Sequence, residues 1–335
     1  MQMSNKLYEG GFYNEEQKKR YLNVLPSEES AEVVARILSR AKPLEEQFGQ
    51  DLYNFTLDQI EKFLYYLEPS TMNASRSNYY IVQNYIRWGI EQDLRDNNLN
   101  PLDLVGGTKY FKKFLDKNRK TLYRKDEIDK IVDGCVNAQD AVIIQLIFEG
   151  AFGTKDFDEL LNLTKDSIIS ERGLLLKDGS SERVLNVSEK CINLVQKALQ
   201  ETRYYKKNGN PKETLKSKPD AELIQNDYVL RNVKTRTKHN EKADSFLIRR
   251  RLDTIREFFD LKIFTAYTIR NSGMLWMAKQ LYDKYGQLGK NQYEEICERF
   301  NIKKVHSKGY QVYNYHRYKE DFLNVETIKE IYNEE

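Results

Sequence analysis

Histidine is scarce in this 335-residue chain, which has three, and cysteine is as rare: Cys135, Cys191 and Cys297 stand far apart. So few residues of these types leave no zinc-site spacing, and no metal or cofactor is expected. Each cysteine falls on a helical apolar stripe, so the three read as reduced core residues and not as a disulfide framework. Long apolar runs are missing too. The densest, Ala141 to Phe148, is interrupted by Gln145 and falls well short of the roughly 18 residues of a membrane span. The first residues, MQMSNKLYEGG, lack the basic-then-apolar pattern of a signal peptide, so a cytoplasmic protein without a membrane partner is expected. Nor does one charge dominate. Fifty-four Lys and Arg against 51 Asp and Glu leave a formal +3, and total charge alone does not mark a nucleic-acid binder.

What is present is helical periodicity over a length that suits two domains. Val33, Val34, Ile37, Leu38 and Ala41 form one apolar stripe at spacings of three and four. Thr56 with Gln59 has the pairing of a capping box and opens a second helix carrying Ile60, Phe63, Leu64 and Leu67. A third, from about Ser75 to Arg95, stops before Asn100-Pro101, because proline drives the preceding residue to extended geometry. After residue 125 helices resume, and the period then changes. Ser167 to Ile169, Leu174 to Lys177 and Val184 to Val187 read as short strands, the last two separated by the turn-forming pair Asp178-Gly179. The fold class expected is mainly α with a small β-sheet (α+β): a helical domain over 1–108, a basic linker over 109–125 and a second domain over 126–335.

Positive charge is concentrated in two places. Residues 109–125, KYFKKFLDKNRKTLYRK, hold eight Lys or Arg against the single acid Asp116, a net of +7. Residues 201–251 hold fourteen against seven, again +7, which leaves the rest of the chain acidic. Clustered cations that release the counterions of duplex DNA supply most of a binder's affinity, so Lys109, Lys112 and Lys113 are candidate backbone contacts. In the second segment Ile248, Leu252, Ile255 and Phe259 make a core-facing stripe, which turns Arg249, Arg250 and Arg256 outward as candidates for a major groove. The stretch 203–218 reads equally well as a solvated loop.

Residues beyond about 28 resemble the tyrosine recombinase, or phage integrase, family. Gly150 to Leu163, ending in Glu159-Leu160-Leu161-Asn162-Leu163, matches the family's first box, with Asp156 standing where its first catalytic arginine belongs. Lys177 fits the β-hairpin lysine. In YTIRNS, Arg270 fits the second arginine, while Tyr267 takes the place of the usual histidine and Asn271 that of the histidine after the arginine. Val305-His306-Ser307 is similar to the Gly-His-Ser box, and Tyr315, nine residues beyond His306, stands at the nucleophile's spacing.

The resemblance implies a core-binding domain and a catalytic-type domain that clamp double-stranded DNA. It also implies that Lys177, Arg270, His306 and Tyr315 are relict positions that still touch DNA. Losing one donor to a transition-state oxyanion costs roughly a hundred- to a thousandfold in rate, and a carboxylate at position 156 adds repulsion beside a phosphate. A binder that does not cut is therefore expected. Within the family's neighbourhood the chain most resembles the integrase-fold lysis repressors of SPbeta-like temperate phages, which bind repeated operator elements. Two other readings stay open: an active recombinase working through Tyr315, and an architectural protein that bends DNA for a partner. The operator, the oligomeric state and any protein or peptide antagonist are not legible.

Overall fold

Helix starts are written locally. The computed structural model describes residues 11–116, 120–155, 157–210, 218–234, 242–307 and 309–332. The expected capping box forms: Thr56 Oγ1 accepts from the Gln59 amide at 3.4 Å and Gln59 Oε1 accepts from the Thr56 amide at 2.8 Å. The chain divides into two compact units, Met1–Asn118 and Arg119–Glu335.

The first unit carries α1 (Glu15–Asn23), α2 (Glu28–Phe48), α3 (Leu57–Tyr66), α4 (Met72–Glu91) and α5 (Thr108–Lys112). Its core gathers Leu38, Leu52, Phe55, Ile60, Phe63, Val82, Tyr85 and Ile86, all fully buried. Phe111 and Phe114 join that core. The segment expected to be a basic linker over 109–125 thus adds two rings to this core, and its Tyr123 is buried in the core of the second unit. Burying these three aromatic rings outweighs the solvation of the lysines around them, and those lysines keep their ammonium groups at the surface.

The second unit runs through α6 (Lys125–Asp133), α7 (Ala138–Glu149), α8 (Asp158–Leu161), strands β1 (Gly173–Asp178) and β2 (Ser181–Asn186), and α9 (Glu189–Gln200). It continues with β3 (Arg203–Tyr205), β4 (Asp220–Glu222), α10 (Ser245–Phe258), α11 (Ala266–Tyr285), α12 (Lys290–Arg299), β5 (Val305–Ser307), β6 (Tyr310–Val312), α13 (His316–Asp321) and α14 (Val325–Tyr332). Helix α7 is buried from Gln139 to Phe148 and forms the centre of the unit, as a helix apolar on all sides must. Helix α11 lies close against it at Gly273, where a Cβ would come within 2.0 Å of the Phe148 carbonyl oxygen. No side chain fits there.

The small β component that was expected consists, among the described residues, of three two-stranded antiparallel sheets, β1–β2, β3–β4 and β5–β6. Asp178 faces Ser181 across the turn, with Gly179 at φ 60°. Residues 167–169 do not form a strand; Ile168 makes one isolated bridge to Leu174. Among the described residues no helix is long and apolar enough to cross a membrane.

Candidate nucleic-acid interface

The loop after α7 is built around one carboxylate. Glu159, fully buried, accepts from the amides of Phe152 at 2.8 Å and Gly153 at 3.0 Å, from Arg183 Nε at 2.5 Å and Nη2 at 2.8 Å, and from Asn301 Nδ2 at 2.9 Å. Arg183 also donates to the carbonyls of Gly150 and Arg299, both at 2.8 Å. A buried charge is tolerated when every lone pair is satisfied in this way. Gly153 adopts φ +91°, and a Cβ there would lie 2.9 Å from the Asp158 amide nitrogen. Phe157 adopts φ 65°, an outlier for a bulky residue that persists only where the surroundings over-determine it. Asp156, between these features, lies outside the described residues.

The β1–β2 hairpin is tied to this loop. Asp178 Oδ2 accepts from the Thr154 amide at 2.8 Å and from Asn301 at 3.0 Å. Lys177 points into solvent and pairs with Glu182 at 3.2 Å. His306 is exposed on β5 opposite Gln311.

Arg270 sits on the second turn of α11, a helix opened by a capping box between Thr265 and Thr268. Its guanidinium lies 4.7 Å from the ring centre of Phe152 and 5.1 Å from that of Tyr267. Tyr267, half exposed, leans on Phe152 with ring centres 5.3 Å apart. Burial pushes the Arg270 guanidinium below its ordinary pKa, and Arg317 nearby adds to this, while the phenols of Tyr318 and Tyr267 act the other way. Arg270 Nε is buried with no hydrogen-bond partner among the described residues. Tyr315 stacks on Tyr293 and on His316, with ring centres 5.0 and 4.6 Å apart. Helix α13 begins only at His316, so Tyr315 occupies its N-cap and Tyr318 its first turn.

Helix α10 starts at Asp244, whose carboxylate accepts from the Leu247 amide at 3.0 Å. Leu247, Ile248, Leu252 and Ile255 are buried, and Arg249 and Arg250 are exposed as expected. Arg256 corrects the expectation. Its side chain is 18% exposed and turns toward Asp253 at 3.4 Å and Glu257 at 3.9 Å, because it follows the apolar stripe by one position and has acids on either side. The buried Arg251 was not anticipated. It donates to Gln139 Oε1 at 2.9 Å and to the Arg231 carbonyl at 2.7 Å, and its Nε lies 3.6 Å from the buried Asp140. The signal was in the sequence, since position 251 lies three residues after Ile248 and four before Ile255. In the first unit, Lys109, Lys112 and Lys113 are all exposed, and Lys113 reaches Glu61 at 2.6 Å.

A helical unit comes first, followed by a helical unit with small hairpins, an arginine on a central helix and tyrosines on a C-terminal helix. This is the order of a core-binding domain followed by a catalytic-type domain. Residues 122–333 match the family described as MrpR, C-terminal catalytic domain, and residues 12–91 match MrpR, N-terminal core-binding domain. The chain belongs to the MrpR family. It is 31% identical over 328 residues to the SPbeta prophage-derived uncharacterized protein YopR of Bacillus subtilis (strain 168), covering 96% of this chain and 97% of that one. Among solved structures it is similar to XerA recombinase, with a TM-score of 0.41 and 13% identity over 95% of this chain and 97% of that chain. It is also similar to a lambda integrase(75-356) dimer bound to a COC' core site, with a TM-score of 0.45 and 12% identity over 88% and 98% of the two chains.

Proposed function

We propose that the chain is a sequence-specific double-stranded DNA-binding protein, a phage transcriptional repressor that maintains lysogeny in the cytoplasm of a bacterial host and does not cut DNA. The observation that carries this reading is the ring of Tyr267 laid against the Arg270 guanidinium. An imidazole at that position would offer a proton donor to a phosphate. The tyrosine presents its ring face to the guanidinium, and a phenol, although it can donate a hydrogen bond, does not replace the proton transfer of an imidazole near neutral pH. With Asp156 in place of the other arginine, transition-state charge has lost two of its partners. Surface cations remain: Lys177, Arg249, Arg250, Lys109, Lys112 and Lys113 are exposed, and His306 joins them at the surface. A prophage-derived relative spanning nearly the whole chain supports the phage setting.

A recombinase reading has one observation in its favour, two tyrosine hydroxyls at the start of α13, on Tyr315 and Tyr318, since the family's chemistry needs a nucleophilic hydroxyl there. One experiment separates the two readings. The full chain is assayed for repression of a reporter joined to its bound sites and, in parallel, on nicked suicide duplexes that trap a phosphotyrosine link. Repression without a covalent adduct is expected. An adduct would overturn the proposal.

A further inference from the structure

Phe246 is a large apolar side chain left at the surface. It lies in the first turn of α10 and is 62% exposed, so its ring adds little to the core that Leu247 and Ile248 beside it build. Residues three and four positions apart on a helix are surface neighbours, and those positions here are Arg249 and Arg250. The Arg249 guanidinium lies 5.6 Å from the Phe246 ring centre and 5.9 Å from that of Phe157. It bridges an exposed ring to a buried one and holds the exposed ring in place. Arg250 Nε donates to the Phe246 carbonyl at 3.4 Å. The opposite face of the helix is anchored by Arg251 through Gln139, Arg231 and Asp140. An uncovered aromatic ring is thus fixed beside two guanidinium groups on one rigid face.

We infer that Phe246 is a specificity-determining residue that packs on the C5-methyl group of a thymine in the major groove, within one or two base pairs of a guanine read by Arg249 or Arg250. The inference rests on the proposed reading of the chain as a duplex-DNA binder. Paired cations call for a polyanion, and the base feature in the major groove that an apolar ring can recognise is the thymine methyl. Helical neighbours stand about 5–6 Å apart, and stacked bases about 3.4 Å, which sets the spacing between the two contacts.

The test begins with selection of duplexes from a randomised library by the full-length chain. Each thymine of the selected site is then replaced by deoxyuridine, which lacks only the methyl group, and affinities are measured for the parent chain, Phe246→Ala and Phe246→Leu. Replacement of a single thymine should weaken the parent about fourfold, the burial of one methyl group. Phe246→Ala should bind the thymine and uracil duplexes equally, and Phe246→Leu should keep part of the difference. A parent that discriminates at no thymine, or a Phe246→Ala chain that keeps the parent's ratio, overturns the inference while leaving duplex binding intact. Failure to enrich any duplex would overturn the DNA-binding reading itself, and this inference with it.

Discussion

The ring of Tyr315 lies parallel to that of Tyr293, with planes 2° apart and centres 5.0 Å apart. The contact is made by ring faces and does not involve the hydroxyl. Tyr315→Phe should therefore preserve stability and operator affinity, with a loss of at most about 1 kcal/mol if the hydroxyl touches a phosphate. Repression by the variant in a reporter strain checks this. Tyr318→Phe, which removes the other hydroxyl at the start of α13, serves as the companion. If the parent forms a covalent adduct, its loss in one of the two variants would identify the nucleophile and end the repressor reading.

Arg270→Ala should weaken operator binding roughly 10- to 100-fold, the worth of a charge-assisted contact to a phosphate. Arg270→Lys should fall between, because a lysine keeps the charge and loses the planar fork that lies against Phe152 and Tyr267. Equal affinities for the three proteins in a fluorescence anisotropy titration would remove Arg270 from the interface.

Replacing Lys112 and Lys113 by alanine should weaken binding to all duplexes alike, since side chains that neutralise phosphates carry no base information. Each phosphate that is no longer neutralised should reduce the log-log salt slope by about 0.9. Lys113 also pairs with Glu61 at 2.6 Å, an exposed contact worth no more than about 1 kcal/mol to folding. A stable variant with altered base preference would contradict the backbone assignment.

Arg251→Ala should cost about 3–5 kcal/mol of stability, because it leaves Asp140 buried without its cation. Urea melts of parent and variant measure it. A change below about 1 kcal/mol would mean that the pair does not hold α10 in place.

The parts of the fold legible in the sequence are those set by near neighbours. The Thr56–Gln59 box and the Asp178-Gly179 turn appear where local hydrogen bonding and backbone freedom put them. What stayed hidden depends on partners distant in sequence. The spacing of Arg251 from Ile248 and Ile255 marks it as inward-facing, but nothing nearby in sequence announces its partner Asp140. Phe111 and Phe114 were masked by the lysines between them, although their spacing of three suits a helical face. For the candidate site, the spacing from His306 selected Tyr315, which stands at the N-cap of α13, but its stacking on Tyr293 depends on a partner distant in sequence.

Three ionisable groups meet in the buried core of the first unit. Lys18 Nζ reaches Glu45 Oε1 at 2.6 Å and Asp51 Oδ2 at 3.1 Å, with all three side chains almost wholly buried. Tyr85 donates to Asp51 Oδ1 at 2.9 Å, and the Leu52 amide donates to Glu45 Oε1 at 2.8 Å. One cation balances one carboxylate, so the second must stay neutral or remain buried as an excess charge. Glu45 is the one that gives way. Its Oε2 has no hydrogen-bond partner among the described residues, and burial, helped by the charge on Asp51, pushes its carboxyl up to about 7 against the pull of Lys18. Below about pH 4.5 the folded and unfolded chains both hold this proton, and the group opposes folding little. As pH rises from about 4.5 to about 7 the unfolded chain releases its proton first, and stability falls by up to about 3 kcal/mol. Glu45→Gln mimics the protonated side chain and cannot ionise. Its stability relative to the parent should therefore rise across this window and level off above about pH 7. Urea melts of both proteins at intervals from pH 4 to pH 8 check the difference, and parallel curves would show that Glu45 is ionised in the folded chain.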